Sequence, residues 1–539
     1  MSSRVPTVYN EMYISLMEPK NVDLLMQIRE AKRIDALKRM IFNFPSEFIM
    51  RSLNEGRSIR SILKEENIDP TPYYGELRDY QTTGVAFMYY SPRSIISDGV
   101  GMGKTAQISG LINFLKSKGE MTRFMIAVET SAVNQTITEL IKFTGLRVIG
   151  LPSTKDKLLR AIDKTDWDNV DGVVIKHSAL RSPTLSSFLA LNIFYDEQAG
   201  KEVNRLFDTF FLDESSVIKN SGNKIYEYTK NICDISKRVH FMNATAFEKH
   251  LLDVYNQMDM MDPNLLPAVS RIKSAYCNYK KGHFWKTENG VPVRKTKFDH
   301  QGYKNQEEFK KSLKAVYFGR STKDVGLDKP HVYRVYEVEA TDRQKHAIKS
   351  GHRYQEVLNC PSLIADMGVD TNRVSVPKLD RLVDLVEKDF HGDQVMVYAF
   401  HIEAQGAIAE EMYKIGRKPA ILNGNTPDED RWEIQTGFNS GKYDVIITNL
   451  QKSLNLNGGD VLIYYSASGN VASMEQIRGR IDRHTDDRVK TFILLLYKDT
   501  PEHDFFLQKT KQRAIDSRRL TIDAEGAIDM FVKSMEESE

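Results

Sequence analysis

The stretch Ser97-Asp98-Gly99-Val100-Gly101-Met102-Gly103-Lys104-Thr105 lies between an apolar run and a segment rich in helix formers, and its reading decides the fold. Glycines at 99, 101 and 103 leave the backbone free to curl successive N–H groups around an anion. The lysine that follows supplies a point charge for the outer phosphates, and the threonine hydroxyl is a candidate Mg2+ ligand. Gly101, Met102, Gly103, Lys104, Thr105 and Ala106 are therefore the candidate nucleotide-binding residues. A strict G-x-x-x-x-G-K-[ST] pattern wants glycine where Asp98 stands. Taken alone, a plain glycine-rich turn would explain the stretch, so the residues downstream must decide.

Around this turn, short apolar runs at 94–97, 124–128, 172–175, 209–212 and 239–242 alternate with longer helical patterns. That alternation is the rhythm of a parallel sheet in an α/β fold. A second series begins near Val376, with runs at 394–398, 419–422, 443–447, 461–465 and 490–496. Two α/β lobes on one chain imply a cleft between them. The expected organisation is an N-terminal accessory domain, mostly helical, over 1–75, a nucleotide-binding lobe over 76–265, a basic insertion and linker over 266–375, a second lobe over 376–515 and a tail over 516–539.

The 539 residues are 41% hydrophobic and 27% charged, the balance of a globular protein, and no apolar run is long enough to span a bilayer. No membrane association is expected. Cys233, Cys277 and Cys360 are far apart, which fits a reducing cytoplasm without structural disulfides. The net charge of +2 does not by itself point to nucleic acid, so that inference rests on local patches. From Arg271 to Pro330 the chain holds fifteen Lys or Arg against six Asp or Glu, interleaved with Tyr276, Tyr279, Phe284, Trp285, Phe298 and Tyr303. Basic and aromatic residues together suit a surface that tracks a nucleic-acid backbone, with Lys280, Lys281, Arg294, Lys295 and Lys297 as candidate contacts. A solvated insertion with locally packed aromatics fits the same composition. Cys277, His283 and His300 match no standard metal spacing.

Behind the glycine-rich turn, Phe210-Phe211-Leu212-Asp213-Glu214 is an apolar strand that delivers two adjacent carboxylates at its end. Asp213 suits the Mg2+ ion and Glu214 the attacking water, since hydrolysis needs a base beside the metal-bound phosphate. In the second lobe, Gln476-Ile477-Arg478-Gly479-Arg480-Ile481-Asp482-Arg483 would, on a continuous helix, project Gln476, Arg480 and Arg483 from one face. Such a row can reach across a cleft and stabilise charge on a breaking phosphate bond.

This ordered set resembles the superfamily-two helicases and translocases and, within them, the Swi/Snf-type ATPases, over roughly 76–515. Leu77-Arg78-Asp79-Tyr80-Gln81 is similar to the family's adenine-reading Leu-Arg-x-Tyr-Gln, which implies Arg78 and Gln81 as base contacts. The family's loop reads Asp-Glu-x-Gly-x-Gly-Lys-Thr, which accounts for Asp98 and leaves Gly99 as the departure. Asp213-Glu214 with its Ile218-Lys219-Asn220 tail resembles the subfamily's acidic motif. Phe241-Met242-Asn243-Ala244-Thr245-Ala246 stands where Leu-Thr-Gly-Thr-Pro is usual, Gly319-Arg320-Ser321-Thr322-Lys323-Asp324-Val325 resembles the Arg-Arg-x-x-x-Asp-Val linker, and Ser453-Leu454-Asn455-Leu456 has serine where the family has glycine. Gln476 to Arg483 is similar to Gln-x-x-Gly-Arg-x-x-Arg. Compactness and divergence point to a viral or phage-encoded member, whose place would be the host cytoplasm.

The resemblance implies two RecA-like lobes, ATP and Mg2+ as cofactors, and duplex or branched DNA as partner. By motif position it implies DNA-backbone contacts at Thr130, His177, Ser178, Asn423, Gly424, Thr448 and Asn449. A monomer is expected, with a protein partner conceivable at the N-terminal domain. The favoured reading is a DNA translocase that remodels branched or forked DNA. A transcription-associated translocase and a non-hydrolysing DNA-binding scaffold stay open.

Overall fold

The computed structural model describes residues 75–504, apart from Val100, 198–199, 221, 244–253, 264, 267–268, 289–290, most of 306–315 and of 321–330, 351–352, 361–375, 451–455, 467–470 and 483–487. The expected N-terminal domain and C-terminal tail lie outside the described residues, as do Ala244 to Ala246, Ser453 to Asn455 and Arg483.

The first lobe opens with helix α1 (Asp79–Tyr90), strand β1 (Arg93–Ile96) and helix α2 (Lys104–Ser117). There follow β2 (Phe124–Val128), β3 (Val148–Leu151), β4 (Gly172–Lys176), a small antiparallel pair β5 (Ile193–Asp196) and β6 (Lys201–Asn204), β7 (Thr209–Leu212) and β8 (Arg238–Met242). Two long strands, β9 (Cys277–Glu288) and β10 (Val291–Tyr303), form a ribbon, and the short β11 (Tyr317–Phe318) returns to the lobe. The main sheet has the order β11-β1-β8-β7-β2-β4-β3, every neighbouring pair parallel. Because helices cover both faces, its strands carry unbroken apolar runs. Strand alternation sends Ile95, Met125, Ala127, Phe210 and Leu212 into one core and Ile96, Phe124, Ile126, Val128 and Phe211 into the other.

The second lobe repeats the plan with β12 (Val332–Glu339), helix α3 (Pro377–Asp384), β13 (Val395–Tyr398), β14 (Pro419–Leu422), β15 (Val445–Thr448), β16 (Val461–Tyr464), helix α4 (Val471–Arg478) and β17 (Thr491–Lys498). Its parallel sheet has the order β12-β17-β16-β13-β15-β14. Val395, Val397, Ile447 and Ile463 face one core, and Met396, Tyr398, Ile446 and Leu462 the other. The α/β architecture of two parallel-sheet lobes is thus the one expected. β11 and β12 both come from the stretch expected as insertion and linker, and each completes one lobe's sheet at its edge.

The ribbon pairs Cys277 with Tyr303 and runs without interruption to Glu288 opposite Val291, apart from a bulge between His300 and Gly302. At roughly 3.4 Å per residue its arms reach about 40 Å. Its root is fixed in the first lobe: Tyr276 is fully buried, packs edge-on against Phe309 at 5.3 Å, and accepts a hydrogen bond at its carbonyl from Lys304 N at 3.0 Å.

Two buried polar sites make the lobes sensitive to substitution and to pH. In the second lobe, Lys378 at the start of α3 has no exposed surface, and its Nζ donates to both Glu502 oxygens at 2.9 Å. The Tyr497 ring lies 5.0 Å beneath the ammonium, and Tyr497 N donates to Glu502 Oε2 at 3.2 Å. Lys378→Met leaves a buried carboxylate without its cation, so a loss of about 3–5 kcal/mol is expected. Urea unfolding of the single and of Lys378→Met/Glu502→Gln checks this, the double recovering most of the loss. In the first lobe, His240 on β8 is fully buried, with Nδ1 2.8 Å from Ser94 Oγ on β1. Burial holds its pKa well below the ordinary 6.5, so the native ring stays neutral while the unfolded chain takes up a proton. Stability is therefore fully present above that ordinary value and is lost as the pH falls below it. His240→Gln is expected to flatten the fall of Tm on acidification, read by scanning calorimetry.

Candidate functional site

The parallel sheet of the first lobe brings the carboxyl ends of all its strands to one edge, the usual place for a ligand in such folds. β1 leads into the glycine-rich turn and β7 into Asp213-Glu214, with β8 between them, so the two motifs stand about 10 Å apart along that edge. Gly101 (φ 82°) and Gly103 (φ 73°) supply the left-handed backbone that curls the loop. At Gly103 a side chain would strain this backbone and its Cβ would push on the Gln81 amide, so glycine is favoured there. The loop delivers the chain to the N-terminus of α2 at Lys104, where unpaired N–H groups and the helix dipole favour an anion. Lys104 Nζ donates to the loop carbonyls of Asp98 (2.9 Å) and Gly99 (3.4 Å), neutral acceptors that a phosphate oxygen outbids by its charge. Thr105 and Ala106 follow in the first helical turn, half-buried.

Gln81 is drawn into this loop. Its Oε1 accepts from Arg78 N at 2.9 Å and its Nε2 donates to Met102 O at 3.2 Å, beside Tyr80 Oη on the same carbonyl at 3.1 Å. The segment around Tyr80 and Gln81 and the glycine-rich loop therefore meet at Met102, which is fully buried. Arg78 stands exposed at the rim.

At the acidic motif, Asp213 N continues the pairing of β7 with β2 by donating to Ala127 O at 3.0 Å. His177 Nε2 lies 2.8 Å from Asp213 O, which makes Nε2 the protonated nitrogen because a carbonyl only accepts. Glu214 takes φ 50° and ψ 54°, left-handed values that cost a side-chain-bearing residue about 1–2 kcal/mol. The chain then turns into a tight helical turn at Ser215–Ile218, anchored by Ser215 Oγ donating to Gln257 Oε1 at 2.6 Å. Strain of this kind is tolerated where the surroundings over-determine it, and it collects at functional sites. Across the cleft Gln476 Nε2 donates to Glu214 Oε2 at 3.4 Å, joining the second lobe to the acidic motif.

The expected row on one continuous helix is corrected. α4 ends at Arg478, and Arg480 N and Ile481 N bond back to Ile477 O and Arg478 O in tighter turns. Gly479 breaks the helix, and Ile481, fully buried, is pulled into the lobe's core against Gly459. Arg480 is still held beside Gln476, whose carbonyl accepts from Arg480 Nε at 3.0 Å.

Two expected DNA contacts are also corrected. Thr448 has no exposed surface and its Oγ1 accepts from Leu450 N at 3.0 Å. Asn423 is 7% exposed, donates to Gln405 Oε1 at 2.8 Å and accepts from Asn425 N at 2.9 Å. Both side chains build their own loops. Gly424, Thr130 and Ser178 are exposed at carboxyl ends of strands, whereas Asn449, half-exposed, donates to Phe400 O at 3.3 Å. Phe400 was missed by motif reading, yet it presents 55% of its surface at this edge. For Lys280, Lys281, Arg294, Lys295 and Lys297 the ribbon's register is informative. Lys280 pairs opposite Asp299, Lys281 opposite Phe298, Lys297 opposite Gly282, Lys295 opposite Phe284 and Arg294 opposite Trp285. Positions 280, 295 and 297 therefore share one face and 281 and 294 the other.

Residues 80–365 match the SNF2-related domain, and 377–485 match the helicase conserved C-terminal domain. Among curated relatives, the ATP-dependent helicase fft1 of Schizosaccharomyces pombe is 22% identical over 83% of this chain and 53% of its own length. The uncharacterized ATP-dependent helicase YqhH of Bacillus subtilis is 23% identical over 38% of this chain and 34% of its own. The chain thus spans about half or less of the length of these relatives. A solved SWI2/SNF2 ATPase core from Sulfolobus solfataricus in complex with dsDNA aligns over 87% of this chain and 97% of that one, at 17% identity and a TM-score of 0.39. With the SNF2-related model covering more than half of its length and the helicase C-terminal model following in order, the chain belongs to the SNF2-related family.

Proposed function

We propose that the chain hydrolyses ATP and uses the cycle to move along DNA. The observation that carries this reading is the meeting of Glu214 with Gln476, which puts the acidic motif of one lobe in hydrogen-bond reach of the other lobe's Gln-x-x-Gly-Arg segment. Lys104 and the N-terminus of α2 bind the phosphates, while Thr105 and Asp213 suit Mg2+, which when bound offsets charge on the phosphate oxygens. Glu214 orients and deprotonates the attacking water. Arg480 stands beside Gln476, where closure of the lobes would present its guanidinium to charge that develops as the bond breaks. Binding and release of nucleotide then open and close the cleft, and two lobes gripping DNA alternately would convert that into steps.

The finer reading is remodelling of branched or forked DNA. It is supported by the basic and aromatic composition of a ribbon about 40 Å long. An arm of that reach can meet a second duplex that the lobes do not hold. A helicase name shared by relatives fits either reading.

ATPase assays with and without duplex DNA check the site. Lys104→Ala is expected to weaken ATP binding, and Glu214→Gln to bind ATP yet stall. Arg480→Ala and Arg483→Ala are expected to lower turnover by about 10³-fold with DNA binding retained. Turnover by Glu214→Gln at the wild-type rate would remove that carboxylate from its role, and a wild-type chain that binds DNA without hydrolysis would favour the scaffold. Replacing Lys280, Lys281, Arg294, Lys295 and Lys297 together by alanine is expected to flatten the salt dependence of DNA binding, by up to about one log-log unit per lost phosphate contact. Binding to linear duplex and four-way junction across a salt series measures this, and an unchanged slope and junction preference would remove the ribbon from DNA recognition.

A further inference from the structure

Arg320 follows β11, more than two hundred residues after the phosphate loop, yet its guanidinium lies inside that loop's support. Nε donates to Asp98 Oδ1 at 3.0 Å and Nη2 to Asp98 Oδ2 at 2.6 Å, a two-pronged pair with a carboxylate that has no exposed surface. Nη1 donates to the carbonyl of Tyr80 in α1. The cation lies over the rings of Phe318 (4.5 Å) and Tyr80 (5.5 Å). Gln107 of α2 adds a third donor to Asp98, Nε2 to Oδ2 at 2.8 Å. Room for these groups depends on Gly84, where a Cβ would lie 1.9 Å from Gln107 Oε1 and 3.1 Å from Arg320 Nη2.

The backbone adds to the connection. Ile95 N donates to Val316 O at 2.7 Å, Ser97 N to Phe318 O at 2.7 Å and Gly99 N to Arg320 O at 3.0 Å, so the pairing of β1 with β11 runs on into the phosphate loop. The first half of the loop is thus hydrogen-bonded to the segment that returns from the ribbon.

We propose that Arg320 is a positioning residue of the nucleotide site. It clamps the phosphate loop at Asp98 to the base-reading helix at Tyr80, so that nucleotide affinity depends on a side chain delivered from the far side of the ribbon. This rests on the reading of the loop as a nucleotide site. The fork geometry assigns the role to arginine in particular: a lysine can reach the carboxylate with one donor but cannot also span to the Tyr80 carbonyl.

The test compares wild type, Arg320→Ala, Arg320→Lys, Asp98→Ala, the double Arg320→Ala/Asp98→Ala and, as control, Arg93→Ala. Arg93 is a half-buried arginine at the opposite end of β1, bonded to the carbonyls of Cys233, Met260 and Met261. Affinity for a fluorescent ATP analogue without DNA, KM and kcat for ATP, and Tm are measured. Arg320→Ala and Asp98→Ala are each expected to weaken analogue affinity and raise KM by about tenfold or more, with kcat changed less. The double variant should lose no more than either single, because one interaction is removed twice, and Arg320→Lys should fall between. Arg93→Ala should lower Tm without weakening affinity. Wild-type affinity in Arg320→Ala, additive losses in the double, or an equal affinity loss in Arg93→Ala at equal Tm would each overturn the proposal. Should wild type bind the analogue and hydrolyse nothing, the ATPase reading fails while the clamp is still read by affinity.

Discussion

Parallel strand pairing is the constraint on which the rest of the molecule depends. A parallel sheet cannot be closed by tight hairpins, so each strand is followed by a crossover that returns the chain to the same starting edge, and the carboxyl ends accumulate along the other. In the first lobe that edge receives the loop after β1, the carboxylates after β7 and His177 after β4. These residues are far apart in sequence and need no contact among themselves to be brought together. The apolar cores on both faces keep the strands in register, and a fully buried Phe or Leu contributes about 1.5–3 kcal/mol to that end.

Local polar chemistry refines what the sheet places. Asp98 is the clearest case. It stands where a strict phosphate-loop pattern has glycine, and its carboxylate collects donors from Gln107 and Arg320. The departure from the pattern is therefore a junction of three segments, the loop, α2 and the chain beyond β11. Glu214 shows the opposite balance, with an unfavourable backbone conformation retained because β7, the turn after it and Gln257 fix both sides.

Much of this was legible in the sequence, for reasons that particular residues make plain. Strands buried on both faces announce themselves as continuous apolar runs, so Phe124 to Val128 and Val461 to Tyr465 were readable directly. The half-exposed strands were not. β12 alternates between exposed and half-buried positions, and β11 is too short to carry a pattern. Motif position identified Asn423 and Thr448, but a motif preserves a residue type without saying which way its side chain is spent, and both are consumed in shaping their own turns. The continuous helix drawn through Arg480 ends at Arg478, where Gly479 and the apolar pull on Ile481 interrupt it, although Arg480 stays beside Gln476. Arg320 was visible only as part of a linker, since nothing near it in sequence shows that its partner is Asp98.

The ribbon's root is held in the first lobe, with Tyr276 and Phe309 packed in the lobe's core and Lys304 bonded back to Tyr276. Pivoting on that root alone, it would act as a cantilever. With an arm of about 40 Å, a rotation of roughly 5° at the root carries the tip through about 3.5 Å, close to the rise of one base along a DNA strand. The same root lies upstream of the strand whose pairing runs into the phosphate loop. In that geometry a rearrangement too small to disturb the core at Tyr276 would be magnified at the tip to the scale of a single nucleotide.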